Sequence, residues 1–300
     1  MRLLFLALGL VLIAAGWSFA ADEKPLVLPE HPRIAFVGNT FVERDQEQGY
    51  FETLLIAGFV DKEIEFRNLG WSGDTVRGEA RAGFGQPIDG FNHIAKHIAE
   101  LKPSVIFLNY GLNESYAGEV GLAAFESDLG KMLDMLSKDG AKIVIFSIMQ
   151  QENLGPPLPD PTAQNKNIQL YNAALAKASA ARGMTFVDLY NVPAEFAKAN
   201  GGKHFTVNEI HPTPAGHKFV AEAIARKLGL PAREWDDRLE KIRQITIDKN
   251  RLYFHRWRPE NETYIFGFRK KEQGRNAVEI PQFDPLVAEK EAEINRIKKN

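Results

Sequence analysis

The chain has 300 residues, 44% of them hydrophobic and 25% charged, with a formal net charge of −2. That length suits one large domain or a domain with an appendage, and the near-neutral balance gives no electrostatic case for a nucleic-acid partner. The absence of cysteine excludes disulfides, thiol catalysis and thiolate metal sites.

The first stretch, "MRLLFLALGLVLIAAGWSFA", sets Arg2 before an apolar run and puts Ser18 and Ala20 at the spacing of a peptidase site. It predicts a signal peptide over residues 1–20, hence a secreted or periplasmic protein with no stable membrane insertion after signal removal. Five short β-branched or aromatic runs follow: "RIAFVG" (33–38), "IEFRNL" (64–69), "SVIFLNY" (104–110), "KIVIFSI" (142–148) and "MTFVDL" (184–189). Each has the length and apolarity of a buried strand. Between them lie "GYFETLLIAGF", "IDGFNHIAKHIAEL", "GLAAFESDLGKMLDMLSKDG" and "QNKNIQLYNAALAKASAARG". The last two space their apolar residues by three and four and end on glycine, as helices do. Strand–helix alternation predicts a three-layer α/β/α sandwich with a parallel sheet. Ligands of such sheets bind beyond the carboxyl ends of the strands.

After Leu230 the pattern changes. "PAREWDDRLEKIRQITIDKNRLYF" reads as a helix with Pro231 near its start, the next stretch as irregular, aromatic and basic, and "VAEKEAEINRIKKN" as a charged terminal helix. Residues 21–230 are expected to form the main domain, and 231–300 a C-terminal helical extension too poor in apolar runs for its own core. Tyr253, Phe254, Trp257 and Phe266 either pin that extension down or offer faces for stacking on sugar rings.

The strand ends carry the chemistry. The first strand runs into Gly38-Asn39-Thr40, the second into "NLGWSGDT" with Gly73, the third into "NYGLNES" with Asn113, and a late block, "VNEIHPTPAGH", holds Asn208 and His211. In order and spacing, over about residues 33–228, these four blocks resemble the SGNH or GDSL hydrolases. That resemblance implies the SGNH hydrolase (flavodoxin-like) fold and ester hydrolysis by acyl transfer. It sets Thr40 at the nucleophile, His211 at the general base, Asn208 at the position that orients the histidine, and Gly73 and Asn113, with the Thr40 N–H, around the oxyanion.

Two positions depart from the family pattern. Thr40 replaces serine; its hydroxyl is a competent nucleophile in kind, but the extra methyl restricts χ1 and crowds an approaching carbonyl. Asn208 replaces aspartate. An amide can hold a histidine tautomer without stabilising an imidazolium by charge, and in a serine-protease triad that exchange lowers kcat by about 10⁴. Three substitutes are open: a backbone carbonyl orienting the histidine in a dyad, as in some members of the family; Glu209, adjacent in sequence although successive residues of an extended segment point to opposite sides; and Asp74 or Glu114, beside the glycine and asparagine blocks, leaning into the rim. The expected function is an SGNH/GDSL-type ester hydrolase with a weakened triad, acting on a small-molecule or carbohydrate ester, an O-acetylated carbohydrate by preference. The alternative is a non-catalytic binding or scaffold protein on the same frame. No cofactor and no metal are expected: His93 and His97 stand one helical turn apart, but without an accompanying glutamate they read as an exposed pair. Ser72 lacks the G-x-S-x-G setting of a nucleophile elbow and reads as a small residue beside Gly73.

Overall fold

The computed structural model describes residues 25–272 and 276–299; the signal-peptide reading of residues 1–20 lies outside the described residues. Five short runs, the central ones apolar on both faces, form one parallel sheet, β1 (Arg33–Gly38), β2 (Glu65–Gly70), β3 (Val105–Asn109), β4 (Lys142–Phe146) and β5 (Thr185–Val187), in the order β2-β1-β3-β4-β5. The helices are α1 (Thr40–Gln48), α2 (Tyr50–Gly58), α3 (Pro87–Leu101), a short α4 (Leu112–Ser115), α5 (Gly118–Ser137), α6 (Thr162–Ala181), α7 (Val192–Ala199), α8 (Pro214–Lys227), α9 (Asp237–Trp257), a short α10 (Glu262–Ile265) and α11 (Phe283–Lys299).

Successive strand residues point to opposite faces, and β1 divides accordingly: Ile34 and Phe36 enter one core, Ala35 and Val37 the other. On the first face α1, α2 and α8 bring Val42, Leu55 and Ile224. Phe36 sits there edge-on to Phe51 and Phe146, with ring centroids 5.5 and 5.7 Å away, the arrangement aromatic quadrupoles favour. On the second face α3, α5 and α6 bring Ile94, Leu129 and Leu175. The result is the three-layer sandwich. Its strand order reverses direction between β1 and β3, where Gly38 pairs in register with Asn109, and ligands of such sheets bind at that switch point.

The extension is wound into this frame. Ile242 and Ile245 of α9 join the first core, while Tyr253 and Trp257 at its other end join the second. Between them Lys249 Nζ donates to the Phe66 carbonyl of β2 at 3.1 Å, so α9 crosses the free edge of the sheet. Arg67 of the same strand pairs with Glu291 of α11. An edge strand left bare would be a template for aggregation; here two helices cover it. Tyr253 and Trp257 are therefore core side chains, whereas Phe266 is 49% exposed.

One sequence expectation needs correction. The α9 helix starts at Asp237, well after Pro231, because the Asp236 carboxylate accepts from Leu239 N at 2.8 Å and caps it there. It then runs through Trp257, so the start of the stretch read as irregular is its last turn. Residues 40–48, which no element of the sequence reading covered, form α1, capped by Asn39 and ended by Gly49 at φ +68°. Among the described residues no helix is long and apolar enough to cross a membrane.

One ion pair ties the extension to the sheet. Lys249 and Glu52 of α2 are 1% and 2% exposed and hydrogen-bonded to each other, and Asn250 Nδ2 donates to the second Glu52 oxygen at 3.1 Å. Burial nonetheless pushes the Glu52 carboxyl above its ordinary value. Lys249→Met should leave an uncompensated buried acid and cost about 3–5 kcal/mol, read as a lower urea midpoint. Adding Glu52→Gln should recover most of that loss.

Candidate active site

Two glycines bring the pieces together. A Cβ on Gly38 would stand 2.4 Å from the Asn109 carbonyl oxygen, and one on Gly70 would stand 2.1 Å from Glu43 N. Without side chains there, the start of α1 rests directly on the ends of β2 and β3. Asn39 caps α1 through its Oδ1, which accepts from Phe41 N at 3.3 Å, and Thr40 becomes the first helical residue. Its N–H has no partner among the described residues, as expected for a donor in a helix's first turn. The Asn39 Nδ2 is buried without an acceptor, an unmet donor that an aspartate would not have.

The loop after β2 folds onto α1. Trp71 N donates to the Gly38 carbonyl at 3.0 Å, Ser72 N to Glu43 Oε2 at 2.6 Å, and Gly73 N to Thr40 Oγ1 at 3.1 Å. Gly73 holds φ +76°, open to glycine at no steric cost. Beneath the loop, Asp74 is fully buried and paired with Arg81 Nε at 2.6 Å and with the Tyr110 hydroxyl at 2.7 Å. Arg81 also donates to the Leu69 carbonyl at 2.6 Å, so this cluster ties the loop to the end of β2. Burial, reinforced by Asp74, pushes the Tyr110 phenol well above its ordinary value, which keeps it a donor.

The block after β3 braces the same loop. Glu114 accepts from Val76 N at 2.8 Å and Gly111 N at 3.1 Å. Asn113 donates one amide hydrogen to the Asp74 carbonyl at 2.7 Å. An amide nitrogen carries two hydrogens, and the second has no acceptor among the described residues.

His211 enters from the loop before α8. Asn208 Oδ1 accepts both the His211 backbone N–H and its ring Nδ1, each at 3.0 Å. A backbone N–H only donates, so the atom facing it is the amide oxygen, and that oxygen in turn requires a proton on Nδ1. Nε2 is left as the ring's proton acceptor. Burial, then Arg44 and His217, lowers the His211 pKa below its ordinary value, which favours this neutral form. Thr40 and His211 line one small hollow of about 30 Å³, walled by Phe41, Leu112, Ile148 and Met149. Gly73 and Asn113 are not among its walls, and no hydrogen bond joins Thr40 to His211 among the described residues.

None of the substitute carboxylates serves the imidazole. Asp74 is committed to Arg81 and Tyr110, and Glu114 to two backbone N–H groups. Glu209, at φ +69°, is buried and accepts from Leu154 N at 3.4 Å. The histidine's partner is the amide of Asn208. The His93–His97 pair is also other than expected: both rings are partly buried, stacked edge-on against Trp71 and Trp257, with their Nε2 atoms 3.2 Å apart. Burial and the nearby Arg81 and Lys96 lower their pKa values to about 4 and about 3. Neutral imidazoles can share one hydrogen at that distance. Sequence reasoning missed Glu43 and Arg258. The signal for Glu43 is its position three residues after Thr40, one helical turn on; Arg258 carries none.

The family model for GDSL-like lipases and acylhydrolases matches residues 35–219, more than half of the chain. A comparison with curated protein sequences returns no significant match. Among solved structures, a variant of the acetyl xylan esterase Axe2 from Geobacillus stearothermophilus superposes with a TM-score of 0.53 at 17% identity, covering 69% of this chain and 99% of that one. An α/β hydrolase enzyme from the metagenome of Lake Arreo, Spain, gives 0.52 at 16% identity, covering 66% and 95%. A gut microbial diltiazem-metabolizing enzyme gives 0.52 at 18% identity and covers 68% of this chain; the chain spans about half of that protein, 49%. At these identities the likeness carries the fold alone.

The bracing carboxylate titrates where stability can be measured. Burial raises the Glu114 pKa from 4.5 to about 7, against the lowering effect of its backbone hydrogen bonds. A carboxyl with a raised folded-state value stabilises fully below its ordinary 4.5, and this contribution is lost as pH rises through about 7. Thermal melts across that window should show the midpoint falling toward alkaline pH, with a smaller fall in Glu114→Gln.

Proposed function

The chain belongs to the GDSL-like lipase/acylhydrolase family, and from that premise we propose that it hydrolyses esters by acyl transfer through Thr40. The observation that carries the reading is the meeting of a hydroxyl and a neutral imidazole on one hollow, with the Gly73 N–H already directed at that hydroxyl. Thr40 Oγ1 forms a bond to the acyl carbon while its proton passes to His211 Nε2. The carbonyl oxygen takes the negative charge and is met by the N–H groups of Thr40 and Gly73 and the second hydrogen of Asn113. The C–O bond to the alcohol then breaks, and the proton on Nε2 goes to the departing alkoxide. Water, deprotonated by the same nitrogen, releases the acid and restores Thr40. Fixed donors of this kind are worth about 3 kcal/mol each where charge develops, so a weakened triad keeps a substantial part of its acceleration.

The acyl side of the hollow is walled by Phe41, Leu112, Ile148 and Met149, apolar side chains that suit a short acyl group such as acetyl. We read the alcohol side as an acetylated carbohydrate, in line with the name of one fold neighbour. The leader-like pattern of residues 1–20 supports placing the reaction outside the cytoplasm.

A second reading has its own observation. His211 meets an amide where a charged partner would stabilise the imidazolium, and Thr40 makes no hydrogen bond to it, which suits a binding protein on a hydrolase frame. Release of nitrophenol from 4-nitrophenyl acetate separates the two. Under the first reading Thr40→Ala and His211→Ala fall to the uncatalysed rate. Thr40→Ser with Asn208→Asp should raise kcat by about 10²-fold or more, since an Asp-to-Asn change in a triad costs about 10⁴. Equal background rates in wild type and the two alanine variants would favour the binding reading.

A further inference from the structure

The matched segment ends at residue 219, yet the loop that carries the Gly73 N–H is held from beyond it. Arg258, the residue at the C-terminal cap of α9, donates from Nη1 to Glu43 Oε2 at 2.7 Å. The same carboxylate oxygen accepts the Ser72 N–H at 2.6 Å. The guanidinium lies over the Trp71 ring, 3.6 Å from its centroid, with both partners of the ion pair about three-quarters buried, at 26% and 22% side-chain exposure. Three consecutive loop residues are thus fixed. Trp71 is covered by Arg258, Ser72 is bound to Glu43, and Gly73 is bound to Thr40. Glu43 and Thr40 share one face of α1, three residues apart, so the loop is registered on the helix at two successive N–H groups.

We propose that Arg258 is a positioning residue for the Gly73 N–H, and that the C-terminal extension thereby completes the acyl-transfer site; this rests on the ester-hydrolase reading above. An exposed ion pair contributes little. This one is partly buried, and its carboxylate makes a charge-assisted bond to a backbone donor, the stronger kind. Remove the guanidinium and Glu43 is drawn toward water. Its grip on Ser72 loosens, and Trp71 loses the guanidinium stacked on its face, keeping its edge contacts with His93 and Trp257. The neighbouring Gly73 N–H then wanders from the point where the oxyanion forms. Glu43 and Arg258 touch no reacting atom and act through the loop.

The test uses the full chain with Arg258→Ala, Arg258→Lys and Glu43→Gln, each checked for a wild-type circular dichroism spectrum. Amide hydrogen exchange at Ser72 and Gly73, read by NMR, should rise at least severalfold in Arg258→Ala while the amides of β1 and β3 stay as they are. On 4-nitrophenyl acetate, kcat should fall about tenfold with KM within twofold, less than the roughly 10²-fold that a 1 Å misplacement can cost. Arg258→Lys, which keeps the charge and loses the planar stack, should lie between, and sub-denaturing guanidinium should restore part of the kcat of Arg258→Ala. Unchanged exchange at Ser72 and Gly73, or raised exchange with wild-type kcat, overturns the proposal. Should Arg258→Ala fail to fold, Arg258→Lys and Glu43→Gln carry the same comparison. A wild-type protein without esterase activity would instead sink the ester-hydrolase reading, and the exchange measurement alone would then decide whether Arg258 holds the loop.

Discussion

The structure depends on two places where there is no room for a side chain. Gly38 faces the end of β3 and Gly70 faces the backbone of α1, each so closely that a Cβ would stand within 2.5 Å of a backbone atom. Because both are bare, the start of α1 can settle on the switch point of the sheet. The first helical hydroxyl, that of Thr40, is then presented to the loop after β2. A side chain at either position would lift the helix, and the 3.1 Å contact between Thr40 and the Gly73 N–H would open. The rest of the site is assembled around that contact. The Asp74–Arg81–Tyr110 cluster lies below it, Glu114 braces it from the side, and Glu43 holds the next peptide along.

The C-terminal extension supplies what a five-stranded sheet of this order lacks. β2 is an edge strand, and α9 and α11 close it with apolar side chains from both ends of α9, a buried lysine on the Phe66 carbonyl and an arginine–glutamate pair. Burying Lys249 and Glu52 carries a desolvation penalty that offsets much of their attraction. In exchange the pairing fixes where α9 crosses the strand, and that crossing sets where its cap residue, Arg258, arrives.

Much of this was legible in the sequence. The five strands lie within a residue or two of their apolar runs, because a strand buried on both faces has to be apolar throughout. The order of the four blocks located Thr40, Gly73, Asn113 and His211 at strand and loop ends, as open parallel sheets require. The start of α9 was misread because Pro231 is a helix-start signal that an aspartate cap five residues later overrode. The α1 helix was hidden because its nine residues carry few apolar positions and its cap is the asparagine beside the candidate nucleophile. Contacts between distant segments left no trace. The Glu52–Lys249 pair and the Arg258–Glu43 link join residues about two hundred apart, and spacing along a chain says nothing of such meetings. The orientation of Asn208 was also beyond the sequence, since it follows from the backbone N–H of His211, which fixes which end of the amide is oxygen.

The chemistry then turns on a substitution that keeps geometry and gives up charge. Asn208 holds the His211 tautomer that leaves Nε2 basic, and it offers no negative charge to an imidazolium. Thr40 keeps the hydroxyl and adds a methyl where a carbonyl must approach. On the ester-hydrolase reading proposed above this hydroxyl still attacks, which an irreversible reagent can read directly. After incubation with diethyl 4-nitrophenyl phosphate, mass spectrometry of the digested protein should find the diethylphosphoryl group on Thr40 and find none in Thr40→Ala or His211→Ala. A protein that remains unmodified, or carries the group on Ser72 instead, would contradict the account.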